Sequence, residues 1–367
     1  MRKRVSLKTI AEEVGVSHVT VSLALRNHPK IPESTRNKIK KIAERLGYHR
    51  DPEYSVLMAR MRLKQEHTPQ GVFAWVNLHQ GPSLTKKWLN YYRLILGAHT
   101  RASELNYKLE VFDCGGPGYT PRQLNSVLRA RGIEGVIITP PADGVHSLDL
   151  NWKHYAAILM GNCQFEPTLS RIYFSEYENM LSALTRIKEF GYERIGLVMS
   201  QGTIERVNYS WSSAYLGFSH HFLQREEIPI LHHSPHVTRD QFVHWFKKYR
   251  PEVVVANEYP IKNWLESIGE TVPTTVGHVR MDNTPDDFDP NNSFIKKSNW
   301  KNSHIRYSGI NQEHERLGAG AVDFLLATLY RGEYGVPKHA KTIMIQGSWV
   351  KGQSLIPQRK LKRKKSD

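Results

Sequence analysis

Apolar residues recur with helical spacing at two places in the first 46 residues of the chain. The i, i+3, i+4, i+7 pattern predicts helices with one apolar face over 7–14 and 39–46. Gly15 is expected to end the first helix, because glycine accepts the left-handed backbone of a helix end. Ser17 is then placed to cap a second helix. Three short helices with a tight turn between the first two predict a helix-turn-helix domain, although the spacing fits a small helical bundle without a DNA role equally well.

Beyond the amino-terminal segment, strand and helix patterns alternate over 67–357. Apolar runs without helical period, such as 71–78, are typical of buried strands, and longer amphipathic stretches such as 88–107 predict helices. Repeated βα units predict parallel sheets covered by helices, and the length favours two lobes over one domain. We expect the chain to cross between the lobes at 157–175 and 285–310. The predicted fold is an all-α helix-turn-helix domain followed by a two-lobed α/β body.

Positive charge is concentrated at the two ends of the chain. The whole chain has a formal net charge of +16, of which residues 1–66 contribute eight and residues 358–367 contribute five. A basic end beside a nearly neutral body is typical of a phosphate-binding module on a larger protein. The last ten residues are of low complexity, so we interpret them as a basic disordered tail that can add non-specific DNA affinity.

Residues 5–48 resemble the amino-terminal domain of the LacI/GalR transcriptional regulators. The resemblance is carried by T-I-A in the first helix, the G-V-S turn, T-V-S-x-x-L in the second helix, S-T-R before the third helix and L-G-Y at its end. The body is similar to the family's effector-binding half, and so to periplasmic sugar-binding proteins, through IKEFGYERIGLVMS, AYLGF and VGHVRMDN. The resemblance implies a homodimeric, ligand-responsive repressor that binds double-stranded operator DNA.

Within the head, the resemblance assigns two groups of DNA contacts. The base-reading positions are His18, Val19 and Leu23. The phosphate contacts are Ser17, Thr20, Ser22, Thr35 and Arg36. Val19 and Leu23 are apolar where the family often has polar groups, and such side chains suit contact with thymine methyl groups. The alternative for Thr20 and Ser22 is an ordinary exposed helix surface.

Residues 50–66 are interpreted as a hinge helix and linker. By resemblance, Leu57 with its neighbour Met58 is the apolar wedge that enters the minor groove, and Arg60 is placed to reach phosphate. Arg50-Asp51-Pro52 replaces the family's usual proline and asparagine before this helix. An ordinary linker helix, with Leu57 packed on the body, is the alternative.

Ligand-binding side chains are expected where strands of the body end, because open α/β lobes bind ligands beyond the carboxyl ends of their strands. The candidates are Asp282, Arg206, Asn208, Asn257, Asn77, Asp113 and Asn162. By resemblance, Asp282 occupies an acidic position that grips ligand hydroxyls. The arginine that many members carry before the G-F of AYLGF is replaced by Ala214, and Arg206 or Asn208 is the candidate to substitute for it. For each residue the alternative is a polar group satisfied within its own loop.

Other chemistries find little support in the sequence. No nucleophile elbow or phosphate-binding glycine loop is present, so we expect neither an enzyme nor a cofactor. His232, His233 and His236 lack a neighbouring acidic or cysteine set, so no metal is expected. Two cysteines, no leader and no long apolar run indicate a cytoplasmic protein with no membrane contact.

The predicted organisation has four parts. Residues 1–49 form the DNA-binding domain, 50–66 the hinge, 67–357 the effector-binding and dimerisation body, and 358–367 the tail. The function that we expect is transcription regulation switched by a small molecule, expected to be a carbohydrate. The alternative is a solute-binding protein of the same body fold that has no regulatory DNA binding.

Overall fold

A computed structural model of the chain describes nine segments. They are residues 7–25, 27–46, 70–79, 89–114, 118–139, 145–222, 228–257, 259–283 and 306–358. At positions 7, 8, 18, 19, 22, 89 and 145 only the main chain is described. The predicted hinge residues Leu57, Met58 and Arg60 and the tail beyond 358 therefore lie outside the described residues.

The elements are numbered here in chain order. The α-helices are α1 (Leu7–Val14), α2 (His18–Leu25), α3 (Glu33–Arg45), α4 (Leu89–Glu104), α5 (Pro121–Ala130), α6 (Glu176–Glu189), α7 (Gln201–Arg206), α8 (Ser210–Phe222), α9 (Arg239–Tyr249), α10 (Ile261–Glu266) and α11 (His314–Arg331). The strands are β1 (Val72–Asn77), β2 (Lys108–Asp113), β3 (Gly135–Thr139), β4 (Val145–Ser147), β5 (Ala156–Met160), β6 (Gln164–Glu166), β7 (Ser170–Phe174), β8 (Ile195–Ser200), β9 (Leu231–His233), β10 (Val253–Ala256), β11 (Gly277–Arg280), β12 (Ser308–Asn311), β13 (Thr342–Ile345) and β14 (Ser348–Val350).

Helices α1, α2 and α3 form a small domain, which we call the head. Ile10, Val21 and Ile39, one from each helix, are fully buried against each other. Gly15 has a φ of +78° and ends α1 as its position predicts. Ser17 Oγ accepts a hydrogen bond from the backbone N–H of Thr20 at 3.1 Å, which satisfies an amide of the first turn of α2. The predicted three-helix arrangement is confirmed.

The amino-terminal lobe is built on a six-stranded sheet with the order β13-β7-β5-β3-β1-β2, and every pair in it is parallel. The central strands are buried along their whole length, as their continuous apolar runs predict. The register places Asn77 opposite both Asp113 and Thr139, so three polar residues meet at the carboxyl edge of this sheet. A short parallel pair, β4 and β6, accompanies the sheet.

The carboxy-terminal lobe is built on a second six-stranded sheet, with the order β14-β12-β11-β10-β8-β9. Its strand pairs are parallel except that β14 runs antiparallel to β12, which is a departure from the all-parallel expectation. The core between this sheet, α6 and α8 includes the fully buried Leu184 and Tyr215.

Within the described residues, three segments pass between the lobes. They follow β7 near residue 175, β12 near residues 312–313, and β13 near residues 346–347. The first lies at the end of the predicted window 157–175, because β5 and β7 within that window both belong to the amino-terminal sheet. The second lies just past the window 285–310, and no sequence pattern indicates the third.

Helix α11 returns from the carboxy-terminal lobe and packs against α4 of the amino-terminal lobe. Two glycines permit the close approach: a Cβ on Gly97 would lie 2.0 Å from the Glu315 carbonyl oxygen, and one on Gly318 would lie 1.9 Å from that of Leu94. The 18 residues of α11 rise about 27 Å at 1.5 Å per residue. The helix thus connects the crossing near residue 313 with the far end of the amino-terminal lobe.

None of the described helices has the length and apolar character needed to cross a membrane.

Candidate ligand cleft and DNA-binding head

The carboxyl edges of the two sheets carry polar side chains that meet across a cleft. Asp282 follows β11, and its Oδ2 accepts a hydrogen bond from the side-chain amide of Asn90 on the first turn of α4. The backbone N–H of Asp282 donates to Asn257 Oδ1 at 3.1 Å, which ties together the ends of two neighbouring strands. Asp282 Oδ1 is buried and has no hydrogen-bond partner among the described residues. The carboxylate of Asp282 thus links the two lobes through Oδ2, while its Oδ1 remains available to accept a hydrogen bond.

His314, the first residue of α11, faces this carboxylate. Its Nε2 lies 3.8 Å from Asp282 Oδ2, and its ring packs edge-on against Phe174 with the centroids 4.9 Å apart. Burial lowers the pKa of His314, and the carboxylate of Asp282 opposes that effect. His314 Nδ1 has no hydrogen-bond partner within the described part of the chain. The neutral ring therefore adds a second polar atom that a bound molecule can engage.

Glu176, the first residue of α6, lies buried at the first crossing between the lobes. Its Oε2 accepts hydrogen bonds from Trp211 Nε1 at 2.7 Å and from Gln312 Nε2 at 3.2 Å. Burial raises the pKa of Glu176, although the positive charge of Arg206 and the two donors oppose the rise. The exposed Arg206 thus lies near enough to affect the charge state of a buried carboxyl on the cleft side of this lobe.

On the amino-terminal lobe, the predicted candidates Asn77 and Asp113 hydrogen-bond to each other. Asn77 Nδ2 donates to Asp113 Oδ1 at 2.7 Å, and Asn77 Oδ1 accepts from the Tyr91 hydroxyl at 3.1 Å. The same hydroxyl lies 2.6 Å from Thr139 Oγ1 and accepts from Trp75 Nε1 at 2.8 Å. This network holds the first turn of α4, and so places Asn90 opposite Asp282.

The other predicted ligand residues lie at separate places. Asn257 is beside Asp282. Asn208 is exposed with a φ of +47° in the turn between α7 and α8, where asparagine tolerates a left-handed backbone. Asn162 is half-buried in the turn that follows β5. The structure brings Asp282, Asn257 and Arg206 to one lobe, with Asn77 and Asp113 on the other.

Sequence reasoning does not select Glu176, His314 or Asn90. Glu176 and His314 follow β7 and β12 closely, so the rule that found Asp282 applies to them once those strands are recognised. Asn90 opens a helix, and its partner is 192 residues away in the sequence, so no local pattern indicates the pair. Trp211 is noticeable only as an aromatic residue, whereas its role here is to donate to Glu176.

Most of the predicted DNA-contact side chains that the structure describes in the head are half-buried. Leu23 and Thr20 are half-buried on α2, and Thr35 and Arg36 are half-buried at the start of α3. Arg36 Nη1 donates to the Asn27 carbonyl at 2.8 Å, which links α3 to the loop after α2. His18, Val19 and Ser22 belong to α2, but their side chains lie outside the described part of the structure.

Among the described residues, no group of three His, Cys, Asp or Glu side chains is arranged to hold an ion. Cys114 and Cys163 are both free thiols. Burial raises the pKa of each thiol, which makes both cysteines poor nucleophiles.

The structure thus combines a three-helix head with a two-lobed α/β body whose polar side chains meet between the lobes. Residues 6–51 match the family described as "Bacterial regulatory proteins, lacI family". The amino-terminal part of this chain is therefore similar to that family, and the whole chain shares the fold of solved lacI-family structures.

Three known proteins illustrate the likeness. The HTH-type transcriptional repressor CytR of Escherichia coli (strain K12) is 22% identical over 195 residues, which is 53% of each chain. A lac repressor dimer bound to operator and the anti-inducer ONPF has a TM-score of 0.52 at 16% identity, covering 96% of this chain and 100% of that one. The LacI family regulator CCPA from Weissella paramesenteroides, with bound glucose, has a TM-score of 0.52 at 14% identity, covering 78% and 99%. The match spans about half the length of CytR, and the two structures establish the fold.

Proposed function

We propose that this chain is a transcriptional repressor that binds operator DNA as a homodimer and is switched by a small carbohydrate held between its lobes. It acts as a binding protein in the cytoplasm and catalyses no reaction. The observation that carries the proposal is the joint presence of a lacI-type head and a cleft in which Asp282 keeps an unused buried acceptor. CytR is named as a repressor, and the lac repressor and CCPA structures hold an operator or a sugar.

The chemistry of the cleft supports a ligand rich in hydroxyl groups. Asp282 Oδ1 is an acceptor, and the neutral ring of His314 offers Nδ1 beside it. A sugar hydroxyl both donates and accepts, so one hydroxyl can satisfy the carboxylate while a neighbouring one meets the imidazole. Hydrogen bonds to a charged acceptor are each worth about 1.5–3 kcal/mol, which suffices to select a ligand of this kind.

The positive charge of Arg206 bears on which substituents a ligand can have in addition to its hydroxyl groups. Its guanidinium acts on both Glu176 and His314, so a positive charge lies on the carboxy-terminal lobe at the cleft. The family's usual arginine position holds Ala214, which is fully buried in the core and cannot contact a ligand. We infer that Arg206 takes over the role of a cationic donor to ring or substituent oxygens, with Asn257 and Asn208 as further candidates.

The predicted DNA contacts remain part of this proposal. Leu23, with His18 and Val19, reads bases, and Ser17, Thr20, Ser22, Thr35 and Arg36 bind phosphates. Leu57, Met58 and Arg60 form the minor-groove hinge. A ligand that prefers one lobe arrangement by about 100-fold shifts the equilibrium by ~2.7 kcal/mol at saturation, which is enough to change operator occupancy.

Two experiments on the full-length chain test the proposal. Selection from a random duplex library is expected to return a palindromic sequence, as a two-fold symmetric dimer requires. A thermal-shift screen of neutral sugars, sugar acids and nucleosides is expected to return a stabilising sugar that also changes affinity for the selected duplex. Failure to enrich any sequence at low salt overturns the DNA-binding proposal. Stabilisation by a sugar without any effect on DNA binding favours a solute-binding protein instead.

A further inference from the structure

One residue of the head, His28, is buried where the head contacts the body. His28 follows α2 by three residues and is only 4% exposed, yet it does not belong to the apolar core of the three helices. Its Nε2 lies 2.7 Å from Glu134 Oε2, and its ring packs edge-on against Tyr334 with the centroids 5.3 Å apart. Glu134 and Tyr334 both belong to the amino-terminal lobe, so the head docks on the body at this point.

The hydrogen bonds around His28 are directional. Its Nδ1 accepts from the backbone N–H of Lys30 at 3.2 Å, so the ring carries its proton on Nε2 and donates to Glu134. Glu134 Oε2 also accepts from the Tyr334 hydroxyl at 3.1 Å, and Lys30 Nζ lies 3.3 Å from Oε1. One carboxylate therefore binds two side chains of the head and one of the body. Charge-assisted contacts of this kind fix orientation as well as add stability.

The docked residue is tied directly to the DNA-reading elements of the head. The backbone N–H of His28 donates to the carbonyl of Leu23 on α2 at 3.0 Å. Its neighbour Asn27 accepts from Arg36, a proposed phosphate contact at the start of α3. The loop 27–30 therefore lies beside a phosphate-binding position, and a carboxylate that holds Lys30 and His28 there occupies groups that DNA phosphates would attract.

The two body residues that contact His28 each lie beside one end of a strand or helix whose other end reaches the cleft. Glu134 precedes β3, whose other end is Thr139 in the Tyr91 network. Tyr334 follows α11, whose other end is His314 beside Asp282. A shift of either element at the cleft thus moves one wall of the docking contact.

We propose that the contact of His28 and Lys30 with Glu134 and Tyr334 is an autoinhibitory latch that competes with operator DNA for the head. The inference rests on the proposed function and deepens it, because it states how the DNA-free chain holds its head. When the latch opens, the Lys30 ammonium is released from Glu134 and becomes available to phosphate. Apparent DNA affinity is reduced by the fraction of the chain that is latched, so release raises it.

The test uses the full-length chain and the duplex that wild type selects. Glu134→Gln keeps an acceptor oxygen but removes the charge that holds His28 and Lys30. Asp149→Asn is the matched control, because it removes one negative charge from an exposed position of the same lobe without touching the head. We expect Glu134→Gln to bind about 3- to 10-fold more tightly than Asp149→Asn at the same salt concentration. Tyr334→Phe, which keeps the ring but loses one donor, is expected to lie between them.

Hydrogen–deuterium exchange supplies the second measurement. Operator binding by wild type is expected to accelerate exchange in residues 332–336 of the body, because their contact with the head is lost. Equal affinities of Glu134→Gln and Asp149→Asn, or unchanged exchange on DNA binding, overturn the latch while leaving DNA recognition intact. Failure of wild type to select any duplex overturns the proposed function instead, so the two failures are distinguishable.

Discussion

Asn90 of the amino-terminal lobe donates its side-chain amide to the carboxylate of Asp282 on the carboxy-terminal lobe. Asp282 is thus one point at which the lobes touch, and in the proposed function it is also the side chain that accepts a ligand hydroxyl. The two roles share one carboxylate, whose Oδ1 has no partner among the described residues. A ligand that engages Oδ1 adds to the bond with Asn90, whereas one that takes Oδ2 replaces it. In the proposed function, lobe geometry and ligand identity are therefore coupled at Asp282.

Asp282→Asn is expected to weaken sugar binding by about 10- to 100-fold. A hydrogen bond to a charged acceptor contributes about 1.5–3 kcal/mol, and the neutral amide oxygen of asparagine is a weaker acceptor. The measurement is the thermal stabilisation by the sugar found in the screen, titrated on the full chain. Asp113→Asn is the control, since Asp113 is at the edge of the other sheet and accepts from Asn77. A larger loss in Asp113→Asn than in Asp282→Asn would place the ligand on the amino-terminal lobe.

Glu176→Gln is expected to remove a loss of stability that wild type shows as pH rises. An unfolded glutamate has a pKa of about 4.3, and burial raises the pKa of Glu176 in the folded chain. Between those two pKa values only the folded chain holds the proton, so its stability is greatest at low pH and falls as pH rises. The glutamine keeps an acceptor for Trp211 Nε1 and Gln312 Nε2.

Urea unfolding from pH 4 to pH 8 measures this effect, with the exposed Glu178→Gln on the same helix as the control. We expect Glu176→Gln to be more stable than wild type at pH 7 and the difference to shrink toward pH 4. The opposite result, a variant that is less stable at pH 7, would mean that Arg206 stabilises the ionised carboxylate more than burial penalises it.

His278→Phe is expected to protect the folded chain from mild acid. Burial, helped by the positive charge of Arg280, lowers the pKa of His278 from 6.5 to about 3. Between pH 6.5 and pH 3 only the unfolded chain takes up this proton, so stability falls as pH falls through that window. At pH 5 the loss is about 2 kcal/mol relative to pH 7. Phenylalanine preserves a flat ring beside Tyr307, against which His278 packs at 4.9 Å.

The free energy of unfolding at pH 7 and at pH 5 is the quantity to compare within each variant, because the difference cancels any change in packing. The exposed His244→Gln serves as the control. If the drop between the two pH values is the same in His278→Phe and in His244→Gln, the histidine is not responsible for it.

The sequence predicts the sheets well because strands buried on both faces are continuous apolar runs, as in β3 and β5. It does not predict β9 and β13, whose three or four residues are largely exposed and carry no clear pattern. The short α7 and α10 are missed for a similar reason, since six residues hold fewer than two turns of periodicity.

Sequence patterns likewise predict only some residues of the candidate site. Asp282 and Asn257 are predicted because they end recognisable strands. Glu176 and His314 are missed because β7 and β12 contain serine, arginine or glycine among their apolar residues and do not read as buried strands. Contacts across the molecule, such as Asn90 with Asp282 and His28 with Glu134, depend on the packing of the lobes and head and leave no trace in local spacing.

Leu23→Arg is expected to change which DNA sequence is selected, because position 23 is proposed to face base edges and arginine pairs with guanine where leucine contacts a thymine methyl. Leu23 is half-buried on α2, so the longer side chain can extend without disturbing Val21 and Ala24 in the core. Thr35→Ala is the contrasting variant, since loss of a proposed phosphate contact is expected to weaken binding to all sequences alike and to leave the selected motif unchanged. Parallel selections with wild type and both variants make the comparison. Recovery of the wild-type motif by Leu23→Arg would exclude position 23 from base reading.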